Sequence, residues 1–345
     1  MSMKRVASVV SPAVLAGLVL AALLVAPAAA APVATASACT PAKDIEAIVD
    51  DSGSMAASDP NTLRVQGLNL LIGTLSPSTT LGAVEFGSGI TGLTPAAETL
   101  FPPEPIGPNA AAMRSVMAEK IKADNGATDY NGAFAKADAD NPGADARIFL
   151  TDGGHNEGDY GEAHLVHRVP TYVIGFGSGL TEPEDQGRLE KIATDTGGKY
   201  FSLQDSSQLQ AVMNSIGAAL TCQTPPRQFT DVLGQGQTKL HGVTVGANTK
   251  SLQIALTWAS PLDAFQLLGL KLVSGKEVLA VAARPGKHRK PGKLKVTRTA
   301  SSTFVVLKVS HLHPGRLVFK VKATKVGSGE PKATLTTQVG QATHK

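Results

Sequence analysis

The sequence predicts an α/β domain built on a doubly wound, mostly parallel sheet, followed by an all-β sandwich. Three observations predict it. Between residues 41 and 222, strand-like apolar runs alternate with stretches of helical period. Between residues 229 and 345, short runs alternate apolar and polar residues, separated by turn signals, with no helix of useful length among them. At Thr224-Pro225-Pro226-Arg227 the charge reverses: residues 31–224 hold 11 Lys/Arg against 24 Asp/Glu, and residues 225–345 hold 19 against 4. A composition shift at a Pro-Pro step marks a domain boundary, so a linker is expected over 223–228. A chain of 345 residues accommodates about two domains. Its 42% hydrophobic and 17% charged content excludes disorder as a class.

In the first domain the expected strands are 44–49, 81–86, 147–150, 171–176 and 198–203. The expected helices are 63–75, 113–121, 130–139, 189–194 and 206–220, with a short one at 161–168. Strands that alternate with helices make parallel sheets covered on both faces. Ligands of such sheets bind at the C-terminal ends of the strands. In the second domain, strands are expected at 238–245, 251–258, 265–273, 294–298, 303–309, 316–323 and 333–339, a β-sandwich pattern. Trp258 is expected in its core.

Residues 1–31 have the layout of a secretory signal peptide. Lys4 and Arg5 precede an apolar run from Val14 to Val25, and Ala28–Ala31 supply small residues for cleavage after Ala30 or Ala31. The run is shorter than the roughly 20 residues a membrane span needs, so a retained anchor is the weaker reading. Cleavage after Ala38, or lipid modification of Cys39, are further alternatives. The protein is therefore expected to be secreted and extracellular. Cys39 and Cys222 are the only cysteines, and in an exported chain an even count suggests a disulfide. The other reading is a pair of buried free thiols.

The motif IVDDSGSM at 48–55 runs two aspartates into the end of a buried strand, where charge needs a partner. Asp50 falls at the C-terminal rim of that strand, with Ser52 and Ser54 in the loop beyond. Thr128, in NGATDY at 125–130, precedes a helix, and Asp152, in FLTDGG at 149–154, ends another strand. Two carboxylates and three hydroxyls are all hard oxygen donors. Such a set favours Mg²⁺, Mn²⁺ or Ca²⁺ over zinc or copper.

These pieces resemble the metal-ion-dependent adhesion site (MIDAS) of the von Willebrand factor type A (VWA) domain. The D-x-S-x-S element is read on Asp50, Ser52 and Ser54, the threonine on Thr128 and the second aspartate on Asp152. LGAVEFGS at 81–88, TYVIGFGSG at 171–179 and LEKIATDTGGKYF at 189–201 match in order, so the resemblance covers about residues 41–222. It implies that Ser52 and Ser54 bind Mg²⁺ directly, that Thr128 and Asp152 bind directly or through water, and that Asp50 acts mainly through water. It also implies that a carboxylate of an Asp or Glu on a partner protein completes the coordination. Asp51 and Asp129 flank the site and are expected as a supporting shell or solvated surface, with a ligand role as the alternative.

Catalysis is not expected. His155, three residues past Asp152, is the best candidate base, but a loop histidine is more simply a solvated tip. His164 and His167 are three apart and are read as surface. There is no G-x-S-x-G and no Walker loop, and GFGSG at 175–179 reads as a strand-exit turn. The sandwich at 229–345 is faintly similar to pre-peptidase C-terminal domains at SLQIALTWASPLDAF and HPGRLVFKVKA. Only Asp263 stands where that family carries more acids. RPGKHRKPGKLK at 284–295 is a dense basic turn. It suits either an anionic cell-surface polymer or a merely soluble basic face, and secretion with few aromatics disfavours nucleic acid. Together these features predict a secreted, cation-dependent adhesion protein. An accessory subunit of a secreted enzyme, or a structural surface protein, is the alternative.

Overall fold

In the computed structural model, the first half of the chain is one six-stranded sheet with helices on both faces. The structure describes residues 39–87, 96–123, 126–180, 182–274, 277–280, 294–327 and 329–343. The expected signal peptide and most of the basic turn 284–295 lie outside them. In order, the elements are β1 (Asp44–Asp50), α1 (Met55–Ser58), α2 (Leu63–Thr74), β2 (Thr80–Phe86), β3 (Ala97–Pro105), α3 (Ile106–Lys120), α4 (Tyr130–Asp140), β4 (Ala146–Gly153), β5 (Thr171–Gly179), α5 (Pro183–Thr196), β6 (Lys199–Leu203) and α6 (Leu209–Leu220). The sheet order is β3-β2-β1-β4-β5-β6. All neighbours run parallel except β2 and β3.

The central strands are buried on both faces and are therefore apolar at successive positions, Ala47–Val49 and Ile148–Leu150, with Glu46 and Arg147 as the buried exceptions. Residues 161–168, expected as a short helix, form only a single 3₁₀ turn at Ala163–Leu165. Val166 is two-thirds exposed, so the segment has no apolar stripe to hold a longer helix against the sheet. The edge strand β3 is the element the sequence hides.

Cys39 and Cys222 form a disulfide, with Cα atoms 5.7 Å apart. Ala42 N donates to Leu220 O at 2.9 Å, so the start of the domain is tied to the end of α6 twice over. Chain entropy alone assigns a loop of this length (sequence separation 183) roughly 5 kcal/mol.

The second half contributes β7 (Thr224–Leu233), β8 (Thr238–Val245), β9 (Thr249–Thr257), β10 (Ala264–Ser274), β11 (Glu277–Ala280), β12 (Lys295–Ala300), β13 (Phe304–Ser310), β14 (Gly315–Lys325) and β15 (Ala333–Thr343). They form two antiparallel sheets, β11-β10-β14-β8 and β12-β13-β9-β15-β7. The inner faces share one core that includes Trp258, Phe265 and Phe319. The run 223–228, expected as a linker, instead opens β7 at Thr224. Its prolines are tolerated because β7 is an edge strand that pairs only with β15.

The two halves pack directly, and Cys39–Lys345 form one unit. Leu70 of α2 is fully buried against Ala255, Phe304 and Val306 of the sandwich. Asn214 of α6 donates to Gln338 Oε1 at 2.9 Å and accepts from Gln253 Nε2 at 2.9 Å. This contact explains why α2 is apolar nearly all round: one side faces the parallel sheet and the other faces the sandwich.

A buried polar group sits at the middle of β1. Glu46 is 1% exposed, and its register partner on β2 is Gly82. A Cβ at Gly82 would lie 2.1 Å from Glu46 Oε2, so the glycine makes room for the carboxyl. Asn141 donates to that same oxygen at 3.2 Å. Arg147, opposite on β4, spends its guanidinium on Asp138 of α4 instead. Burial, more than the neighbouring charges, pushes the Glu46 carboxyl up to about 8. Between about pH 4.5 and 8 the folded chain therefore holds a proton here that the unfolded chain has released, and stability falls as pH rises through that window. Glu46→Gln is expected to flatten the fall, by an amount on the order of a few kcal/mol. Urea midpoints at pH 5 and pH 8 for both proteins measure it; equal slopes would show that Glu46 is ionised in the fold.

Candidate functional site

The site lies where the winding of the sheet reverses. From β1 the chain moves to β2 and β3 on one side, then crosses to β4 on the other. The C-terminal ends of β1 and β4 are thus the switch point, where open α/β sheets leave a crevice. Asp50 ends β1 and Asp152 is the penultimate residue of β4.

Local hydrogen bonds shape the loop after β1. Ser52 N donates to Asp50 Oδ1 at 2.8 Å, and Thr151 Oγ1 donates to Asp50 Oδ2 at 2.5 Å. Ser54 Oγ donates to Asp152 Oδ1 at 2.7 Å, and the hydroxyls of Ser52 and Ser54 are 3.2 Å apart. Gly87, at φ +91°, passes so close that a Cβ would lie 2.6 Å from Ser52 N. That position needs glycine for both its conformation and its space.

Thr128 reaches the same place from the loop before α4. A Cβ built on Gly153 would be 3.7 Å from both Ser54 Oγ and Thr128 Oγ1, so both hydroxyls line the space over Gly153. Asn156 fixes this loop: its Oδ1 accepts from Thr128 N at 2.7 Å, and its N donates to Thr128 O at 3.0 Å. The structure therefore brings together Asp50, Ser52, Ser54, Thr128 and Asp152. Among the described residues no three of His, Cys, Asp and Glu converge as a metal cluster, so donor number here depends on the hydroxyls.

The electrostatics of the site are unbalanced. Asp50 and Asp152 are both fully buried, over a floor of Phe86, Tyr130 and Phe149 whose rings stack and meet edge to face. Among the described residues neither carboxylate has an ion pair, and Asp152 Oδ2 has no hydrogen-bond partner. Burial, and then the neighbouring Asp152, push the Asp50 carboxyl up to about 6. Buried carboxylates without a cation are costly. The donor set thus fits a hard divalent cation: the orphaned oxygen and three neutral hydroxyls surround a pair of carboxylates that lacks a counter-charge.

Asp51 is engaged quite differently from Asp50. It is buried, accepts from Arg64 Nη2 at 2.6 Å, and accepts from Lys122 N and Ala123 N at 2.8 and 2.7 Å. Arg64 also binds Asp59, at 3.1 Å. One guanidinium thus ties the start of α2 to the loop after β1, and Asp51 extends the tie to the segment that leads to Thr128. Asp51 is therefore not solvated surface, and both of its carboxylate oxygens are taken by Arg64 and the backbone of residues 122 and 123. Asp129 caps α4 by accepting from Asn131 N at 2.9 Å.

His155 is not a solvated tip. Its side chain is 3% exposed, its Nδ1 accepts from Tyr130 N at 3.1 Å, and its Nε2 faces Gly158 O at 3.3 Å. His164 is also buried, against Phe134, with its pKa lowered by burial. His167 is half exposed and lies 3.1 Å from Asp138. Sequence reasoning missed Thr151, Asn156, Gly87 and Arg64 as parts of the site. Only Arg64 carries a signal, as the lone charged residue of a helix that is otherwise apolar or neutral.

No protein-family model matches the chain, and no curated protein matches it. Solved structures similar to it include a von Willebrand factor type A protein from Catenulispora acidiphila, at 15% identity over 88% of this chain and 63% of that one, TM-score 0.43. The proximal thread matrix protein 1 of the mussel byssus is similar at 19% identity over 57% of this chain and 50% of that one, TM-score 0.43. The pilus adhesin SpaC of Lactobacillus rhamnosus GG is similar at 12% identity over 88% and 44%, TM-score 0.43. The chain spans about half to two thirds of the length of these proteins. Identities this low bear on fold alone. The VWA-like character of the first half rests on its own strand order, its single antiparallel edge strand and its flanking helices.

The Arg64 tie gives a direct expectation. Arg64→Met leaves Asp51 and Asp59 buried without a cation and should cost about 3–5 kcal/mol. A urea midpoint shift worth under about 1 kcal/mol would show that the two carboxylates are neutral without it.

Proposed function

We propose that the protein is an extracellular binding protein whose first domain holds a divalent cation and, through it, an acidic group of a partner protein. The observation that carries this reading is Asp152 Oδ2, buried without a partner beside the hydroxyls of Ser54 and Thr128. Ser52, Ser54, Thr128 and Asp152 would hold the ion, with Asp50 held back by Ser52 N and Thr151 to orient the loop. Mg²⁺ or Mn²⁺ suits an all-oxygen set of this size, and Ca²⁺ suits a looser one. The ion would supply electrophilic character toward a partner carboxylate, because neutral hydroxyls quench little of its charge.

Binding, and not catalysis, is the reading the neighbouring groups support. Both ring nitrogens of His155 are engaged with the backbone, so it offers no free base. Export rests on the signal-like residues 1–31 of the sequence. Among the described residues no helix is long and apolar enough to cross a membrane.

Thermal unfolding of the mature, oxidised chain tests the metal reading. At about 100 times its Kd, Mg²⁺ should stabilise the fold by about 2.7 kcal/mol, which raises the melting temperature by several degrees. Asp152→Ala should abolish the rise, and EDTA should reverse it. An unchanged melting temperature for wild type at millimolar Mg²⁺ and Mn²⁺ would sink the proposal. The partner reading is tested by capture from an extracellular fraction in Mg²⁺ against EDTA, with the Asp152→Ala chain as control.

A further inference from the structure

A cleft of about 380 Å³ lies where the ends of α2 and α6 meet the β12-β13-β9 face of the sandwich. Strand register arranges its floor. Lys295, Ser310 and Ser251 form one cross-strand row, and Thr297, Lys308 and Gln253 form the next. The alternation of strands puts all six on one face. The volume lies in the range of about 300–1,000 Å³ typical of small-molecule sites.

The charge in this cleft is not balanced. Among the described residues that line it there are two lysines and no carboxylate. Lys308 is largely buried, and its one hydrogen bond is to the main-chain oxygen of Leu75, at 3.1 Å, which closes the C-terminus of α2. An ammonium has three donors, so two remain. Burial lowers the pKa of this ammonium, as expected where no anion offsets the lost hydration. Lys295 has no hydrogen bond or ion pair of its own among the described residues. The helix end accounts for one bond of Lys308 and for nothing of Lys295.

The rest of the lining indicates what accompanies the anion. Ser251, Ser310 and Thr297 present hydroxyls that both donate and accept. Gln253 is buried, donates its amide N–H to Asn214, and has an Oε1 closed off from solvent, so it supports the floor and does not face a ligand. Among the described residues no aromatic side chain lines the cleft. Paired donors and acceptors without an aromatic platform suit a polyhydroxylated ligand better than an apolar one.

We propose that this cleft binds the acidic unit of a saccharide, with its carboxylate or phosphate at Lys308 and Lys295 and its ring hydroxyls on the Ser and Thr side chains. The site joins both halves of the chain and is independent of the metal reading. Lys295 is the last residue of the basic turn 284–295, and residues 284–293 of that turn lie outside the described residues. A protein that grips a partner at the rim of its sheet would, through this cleft, hold an acidic glycan on a different surface.

The test uses the full oxidised chain, ¹⁵N-labelled, titrated to about 10 mM, a concentration that detects millimolar affinity, with glucuronate, glucose 6-phosphate and glucose in parallel. The expected result is amide shift changes at 251–253, 295–297 and 308–310 with at least one acidic sugar and none with glucose. The tighter of the two acids identifies the oxyanion. Lys295→Gln, which breaks no described side-chain bond, and Lys308→Gln should each weaken binding about fivefold or more, at least about 1 kcal/mol by the affinity relation. The proposal is overturned by three outcomes: no change with either acidic sugar, equal change with glucose, or wild-type affinity in a folded Lys308→Gln chain. Inorganic phosphate that bound as tightly as glucose 6-phosphate would also overturn the saccharide assignment.

Discussion

Two carboxylates buried side by side, Asp50 and Asp152, are the constraint on which the rest of the first domain depends. They end the two central strands at the point where the sheet reverses its winding. Nothing charged offsets them among the described residues, so the surrounding structure supplies polar contacts and leaves one oxygen free. Thr151 and Ser52 N hold Asp50, Ser54 holds Asp152, and Asn156 keeps Thr128 beside them. Gly87 and Gly153 leave the space that side chains would close. Arg64 is directed at Asp51 and Asp59, which ties the loops together without neutralising the pair.

Rigidity is a second feature of the molecule. Helix α6 is bonded through Asn214 to two strands of the sandwich, and its end is joined by the disulfide to the segment before β1. α2 is packed between the parallel sheet and the sandwich through Leu70. Disulfide geometry confines the Cα atoms of Cys39 and Cys222 to within roughly 7 Å, so α6 has little room to slide. The sandwich is therefore part of the support of the first domain, and a change at the rim would have to deform both halves to travel through α6.

Much of this was legible in the sequence, for reasons visible in individual residues. The helices and central strands of the first half show because burial on one or both faces leaves an apolar period. The five candidate site residues stand out in the sequence because oxygen side chains recur in loops after strands and before helices, the pattern a hard-cation site would need. The two long strands the sequence hides, β3 and β7, share a cause. Pro102-Pro103 and Pro225-Pro226 read as breaks, yet edge strands have an unpaired side that tolerates a missing N–H. Helix α3 begins seven residues before its apolar pattern does, with Pro108 in its first turn, where no intrahelical donor is lost. The packing of the two halves was not legible. It is written in the unpaired apolar side of α2 and in Asn214, Gln253 and Gln338, which have no signature until the partner surface is known.

The central claim is that the Asp50–Asp152 pair is completed by a divalent cation. The most direct measurement is anomalous diffraction from crystals of the mature chain grown with Mn²⁺, which locates the ion without reference to function. The account predicts one strong peak in the space bounded by Ser52, Ser54, Thr128 and Asp152, absent in crystals of Asp152→Ala. A chain saturated with Mn²⁺ that shows no peak there, or a peak that persists in Asp152→Ala, would contradict it.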